Sequence, residues 1–153
     1  MKHSKEYPPN YIEIQKAFPK CEERKAVFTY GETLHNPFNT VITRDLEIHE
    51  AVHAKQQGKD PKKWWNRYID SHEFRLEQEL EAYGVQLYHL KNSPIIVKRP
   101  NKKDIETYLP SKVTDWYLEK FAEALSGELY GNLLNYHKVH TLLRHFVRNV
   151  RVA

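Results

Sequence analysis

Apolar and polar residues recur with two different periods along the chain, and the changes of period mark its elements. Residues 26–38, "AVFTYGETLHNPF", hold short apolar-rich runs on either side of Gly31-Glu32, which predicts two strands joined by a tight turn. From Thr43 to Gln57 the spacing becomes helical, with Thr43 as N-cap, Asp45 in the first turn and Gly58 as the stop. Asp60-Pro61 opens a short helix, "PKKWWNRYI", because proline suits the first helical position. Asp70 with Glu73 has the form of a capping box and predicts a long helix to about Leu90. "SKVTDWYLEKFAEAL" is amphipathic from about Ser111, "SGELYGNLLN" interrupts it with two glycines, and a last helix runs from Tyr136 to about Val147 behind Asn135. Residues 1–25 are polar, with an extended start at Pro8-Pro9 and one short helix near Tyr11 to Phe18. Residues 92–110 carry three prolines and read as a loop with a short strand at Ile95 to Val97. The expected fold is α+β, predominantly helical, with a small antiparallel hairpin beside a central helix. A single domain over 1–153 is expected, with its core at 26–91 and a helical part at 111–150.

The central helix carries the first chemistry, "IHEAVHA" at residues 48–54. At 100° per residue, Leu46, His49, Glu50, His53 and Gln57 share one stripe, while Ile48, Ala51 and Val52 lie across from it. The expectation is that the helix buries its apolar side and leaves the His/Glu stripe to line a cleft. Histidines four apart project from adjacent turns and can converge on one ion, and Glu50 between them is placed to act as a general base. A third ligand must come from another element, since the chain continues "AKQQGKDPKK" with no further histidine in ligand spacing.

The next long helix, "HEFRLEQELEAYG", offers Glu73, Glu77, Glu79 and Glu81. Glu79 shares its side of the wheel with His72, Leu76, Leu80, Ala82, Tyr83, Gln86 and Leu87, so it borders the face that packs inward. A carboxylate buried there needs compensation, which a metal ion supplies. Arg75, one turn earlier, offers a competing ion pair, and Glu81 takes the ligand role if the register differs.

Composition narrows the field. One cysteine, Cys21, excludes an internal disulfide and a cysteine-based zinc cluster, which fits a reducing compartment. No signal-peptide core or membrane span is present in the sequence, so a cytoplasmic protein without a membrane partner is expected. The net charge of +4 is spread over local runs, "GKDPKK" and "VKRPNKK", and the tail with Lys138, Arg144, Arg148 and Arg151. Without a nucleic-acid motif these read as solvated faces first, and a DNA-binding module or DNA-associated protease is kept only as a second alternative.

"HEAVH" followed on a second helix by "ELEAY" resembles the arrangement of glutamate-type zincins, zinc metallopeptidases with two histidines and a downstream glutamate on one zinc ion. The resemblance implies His49, His53 and Glu79 as ligands and Glu50 as the catalytic base. Where that family commonly has Asp after the alanine, this chain has Tyr83. The longer runs "VFTYGETLHNP", "DLEIHEAVHAKQQG" and "PKKWWNRYIDSHEFRLEQELEAYG" are similar to uncharacterised metallopeptidases of tailed bacteriophages and prophages, over residues 27–90 and more weakly to about residue 145. This implies a zincin-like fold, a peptide or protein substrate, a phage or host protein partner, and a place in the bacterial host cytoplasm or on the virion. By the same analogy the outer strand of the hairpin would hold an extended substrate by backbone pairing. Tyr83, His72, Tyr130 and His35 are candidate oxyanion donors, with Arg75 and Glu81 as supporting residues, and Trp64 and Trp65 as core or cleft wall. The first alternative is a non-catalytic, zinc-stabilised phage structural or regulatory protein, for which Glu50 would have no use.

Overall fold

The computed structural model describes residues 1–93, 95–97, 103, 105–107 and 111–149. Among these, six helices and two small sheets follow in the order β1 (Lys2–Ser4), α1 (Tyr11–Ala17), β2 (Phe28–Tyr30), β3 (Thr33–His35), α2 (Arg44–Gln57), α3 (Pro61–Asp70), α4 (His72–Asn92), β4 (Ile95–Val97), β5 (Ile105–Thr107), α5 (Ser111–Leu125) and α6 (Tyr136–Asn149). A 3₁₀ turn at Glu128–Tyr130 joins α5 to α6.

The hairpin forms as the sequence predicts, Tyr30 pairing with Thr33 and Phe28 with His35 around a turn in which Gly31 takes φ 59°, a left-handed conformation that glycine adopts without strain. The sheet is not purely antiparallel, however. β1 adds a third strand parallel to β3, giving the order β1-β3-β2. Its three residues are too few and too polar to carry a strand pattern, and it exists because β3 offers an open edge. The same holds for β5, which pairs with β4 inside the segment expected to be a loop. Most of the basic run "VKRPNKK", and Arg151, lie outside the described residues.

Helix boundaries follow local chemistry. The Asp60 carboxylate accepts from the Lys63 N–H at 3.0 Å, with Pro61 at the first helical position. Asn135 caps α6 through the Lys138 N–H at 2.9 Å. The expected capping box at Asp70 is off by one. Asp70 ends α3, and Ser71 caps α4 by accepting from the Phe74 N–H at 3.1 Å, so a single residue serves as the end of one helix and the cap of the next.

α4 is the spine, touching α2, α3, α5 and α6. Leu76 and Leu87 join Leu118, Ala122, Leu125, Tyr130, Val139 and Leu143 in one apolar core. Gly84 lets α6 come close: a Cβ there would stand 2.4 Å from a ring carbon of Phe146. A second core gathers Ile14, Cys21, Phe28, Trp64 and Trp65. No helix among the described residues is long and apolar enough to cross a membrane.

Candidate metal centre

α2 buries the side that its hydropathy argued against. His49, Glu50, His53 and Gln57 are among its most buried residues, joined by Val52, whereas Ile48 and Ala51 are only half-buried. The polar stripe lines a cavity, as expected, but it does so as a buried seam, tolerated because its polar groups are partnered. Thr29 Oγ1 on β2 donates to Glu50 Oε2 at 2.7 Å. The Gln57 amide is fixed at both ends, its Nε2 donating to the Thr29 carbonyl at 2.8 Å and its Oε1 accepting from the Gly31 N–H at 2.7 Å.

His49, His53 and Glu79 meet between α2 and α4, all three buried, as a group that could hold a metal ion. The two Nε2 atoms lie 3.1 Å apart, Glu79 Oε2 lies 3.4 Å from His49 Nε2, and Glu79 Oε1 lies 3.3 Å from His53 Nε2. Ligand atoms around a tetrahedral ion with bonds of about 2.0–2.1 Å stand roughly 3.3–3.4 Å from one another. The imidazole pair lies close to that spacing, and each histidine has one Glu79 oxygen at it, Oε2 for His49 and Oε1 for His53.

Proton placement fits as well. His53 Nδ1 lies 2.8 Å from Gln56 Oε1, and the Gln56 Nε2 donates to the Gln78 carbonyl and to Glu81 Oε2, two groups that only accept. Its oxygen must therefore face His53, so Nδ1 carries the proton. His49 Nδ1 stands likewise 3.1 Å from Gln86 Oε1, whose Nε2 donates to Asp45 Oδ2 at 2.6 Å. Both neutral imidazoles then present Nε2 lone pairs to one point beside a carboxylate, which is the ligand form. Without a cation a proton must serve instead. Burial works against charge on His53, but the Glu79 carboxylate outweighs it and pushes the pKa up to about 9. Burial would raise the Glu79 carboxyl, and the two histidines hold it well below the ordinary range.

A cavity of about 180 Å³ is lined by these residues together with Glu50, Trp64, Trp65, Tyr68, Tyr83 and Tyr130. Through Phe28, Trp65, Tyr68, Tyr83 and Tyr130 it shares walls with a wider groove of about 1010 Å³ between α1 and the 3₁₀ turn. The two tryptophans are wall and core at once: Trp64 Nε1 donates to Gln78 Oε1 at 3.1 Å and Trp65 Nε1 to the Thr29 carbonyl at 3.0 Å. Three tyrosines face the cavity. Tyr68 donates to Glu79, while the Tyr83 and Tyr130 hydroxyls have no hydrogen-bond partner among the described residues. Burial, with Glu79 next, pushes both of these phenols upward, so they stay protonated donors.

The remaining candidates sit elsewhere. Arg75 does not pair with Glu79: its Nε and Nη2 donate to the Tyr68 and Ile69 carbonyls at 2.8 Å each and its Nη1 to the Leu129 carbonyl, tying the end of α3 to the 3₁₀ turn. Glu81 is exposed and acts only through Gln56. His72 is exposed beside Gly131, on the wider groove and outside the metal cavity. His35 on β3 bonds the Glu6 carbonyl at 3.0 Å and is not part of the cavity wall. Gln56 and Tyr68 carry no signal of these roles in the sequence, and Asp45 carries only that of a first-turn acid. Gln86 falls seven residues after Glu79 and four after Ala82, on the predicted inward face, and that spacing was the available signal.

No family model matches the chain, and no curated protein or solved structure matches it.

Proposed function

We propose that this protein is a zinc-dependent hydrolase of peptide bonds, with His49, His53 and Glu79 holding one zinc ion and Glu50 as general base. The observation that carries the reading is the pair of glutamine amides that turn both Nε2 lone pairs toward Glu79. Bound there, zinc supplies Lewis acidity, which brings the pKa of water to about 7 and polarises a carbonyl. The protein's own residues do the rest. Glu50 takes the proton of the attacking water and delivers it to the leaving amine, and Thr29 holds Oε2 so that the other carboxylate oxygen is the one that works. Tyr83 and Tyr130 supply hydroxyl donors for the developing oxyanion. The Trp64, Trp65 and Tyr68 rings keep the wall dry.

Substrate does not enter by strand addition at β2. In an antiparallel pair alternate residues turn their carbonyls outward, and the outward carbonyl of Thr29 already accepts from both Gln57 and Trp65. The wider groove beside Tyr83 and Tyr130 is the open approach to the cavity.

Metal content of protein purified without added zinc, followed by Glu50→Gln assayed against a peptide library and candidate phage and host proteins, tests this reading. One zinc per chain in both proteins, with cleavage by the parent and a loss of about 10²- to 10⁴-fold in the variant, is the expected result. Zinc in both proteins and cleavage by neither would instead favour a non-catalytic scaffold. The basic residues Lys138, Arg144 and Arg148 lie exposed along α6, an element that contributes nothing to the cavity, and they add no support for a nucleic-acid substrate.

A further inference from the structure

We infer that Tyr68 is a positioning residue that restricts Glu79 to binding the metal through Oε2 alone. The inference rests on the zinc reading above and concerns how that site keeps a coordination position free.

Glu79 has two carboxylate oxygens at almost equal distances from the two histidines, 3.4 Å from Oε2 to His49 Nε2 and 3.3 Å from Oε1 to His53 Nε2. Nothing in that near-symmetry decides between one-oxygen and two-oxygen coordination. Tyr68 breaks it. Its hydroxyl donates to Oε1 at 2.5 Å, and a lone pair engaged by an O–H donor is a poorer metal ligand than the free ones on Oε2. A glutamate bound through both oxygens would fill the position that a hydrolytic site needs open.

The tyrosine is built to hold this bond. Its ring stacks on Trp64, with centroids 4.8 Å apart and planes 22° from parallel, and meets Trp65 edge-on at 5.3 Å and Phe18 at 6.1 Å. Its own carbonyl is held by Arg75 Nε at 2.8 Å. The residue thus comes from α3, an element that supplies no ligand, and it is fixed through both backbone and ring. The hydroxyl is the part with no packing duty, so Tyr68→Phe removes the donor and keeps the wall.

The test compares wild-type and Tyr68→Phe protein, each stripped of metal and titrated with Zn²⁺ against a chromophoric chelator, and separately loaded with Co²⁺ for its visible absorption. In the variant, zinc affinity should hold or rise, because Oε1 is freed to add a second bond. The cobalt bands should weaken and shift as Glu79 gains a second bond and the coordination number rises. Superimposable cobalt spectra, whether affinity is unchanged or lower, would overturn the assignment while leaving the zinc site intact. If wild-type protein takes up neither Zn²⁺ nor Co²⁺, the zinc reading itself falls, and the role of Tyr68 falls with it. Should the variant fail to fold, a crystal structure of zinc-loaded wild-type protein decides: Oε1 on Tyr68 and off the metal supports the inference, and both oxygens on the metal refutes it.

Discussion

Glu79 and His53 form a buried pair that would serve the protein with and without the proposed ion. In the metal-free chain they form a proton-mediated ion pair, and its pH dependence has a definite sign. The His53 pKa is raised to about 9 from 6.5, so its contribution to stability is complete below about pH 6.5 and is lost as pH rises through about 9. The Glu79 carboxyl is depressed from 4.5, so its contribution is present above that pH and disappears on acidification toward its lowered pKa. Urea melts of chelator-treated protein at pH 6.5, 7.5 and 9 should therefore show falling stability. Zinc-loaded protein should show no such fall, because the ion stands where the proton was. Equal midpoints across this range for the metal-free protein would contradict the pairing. Removing an orienting amide is a gentler change: Gln86→Leu leaves His49 Nδ1 without its acceptor and should weaken zinc about 10-fold or more by equilibrium titration, with Asp45 left unpartnered at the helix start.

Elements were legible in the chain where they carry their own signals, and less so where a neighbour decides. The β2-β3 hairpin, α2, α3, α5 and α6 follow from turn residues, caps and period. β1 and β5 escape because three-residue strands exist only through a partner, and the start of α4 slipped by one because Asp70 and Ser71 are both good caps. His49, Glu50, His53 and Glu79 were legible by spacing. Burial of their stripe runs against its hydropathy, which treats a partnered polar residue as if it faced water. Gln56 and Tyr68 act across helices, and no spacing within one helix reveals that. A packing prediction belongs at this scale. Gly84→Ala improves helix propensity by about 1 kcal/mol, yet its methyl meets Phe146, and overpacking of this kind costs about 1–3 kcal/mol. A net fall in Tm is expected by calorimetry, and a Gly84→Ala, Phe146→Leu double variant should recover part of it.

Across the whole molecule the His49-His53-Glu79 group lies between two apolar cores, which Arg75 of α4 also ties together by holding the end of α3 and the 3₁₀ turn. Leu76 and Leu87 of α4 belong to one core and Trp64 and Trp65 of α3 to the other, and the group touches residues of both, His49 against Tyr83 and His53 against Trp64. An ion bound only in the folded state, present at about 100 times its Kd, adds about 2.7 kcal/mol, which for a chain of this size corresponds to a Tm rise of roughly 5–10 °C. Thermal scans with zinc and with chelator should differ by that much, and hydrogen exchange should slow most in α2 and α4. Identical scans would remove the ion from any part in stability.

The double occupation of the Thr29 carbonyl has one more consequence, for how copies of this protein meet. A sheet grows from chain to chain when an edge strand offers unpaired carbonyls and amides, and on β2 the Thr29 carbonyl is withdrawn from such pairing by Gln57 and Trp65. The opposite edge, β1, is three residues long and begins with exposed Lys2 and His3, a short polar stub that makes a poor template. Both edges therefore make poor templates, and concentrated solutions should resist edge-to-edge assembly less well once Gln57 and Trp65 no longer hold the Thr29 carbonyl.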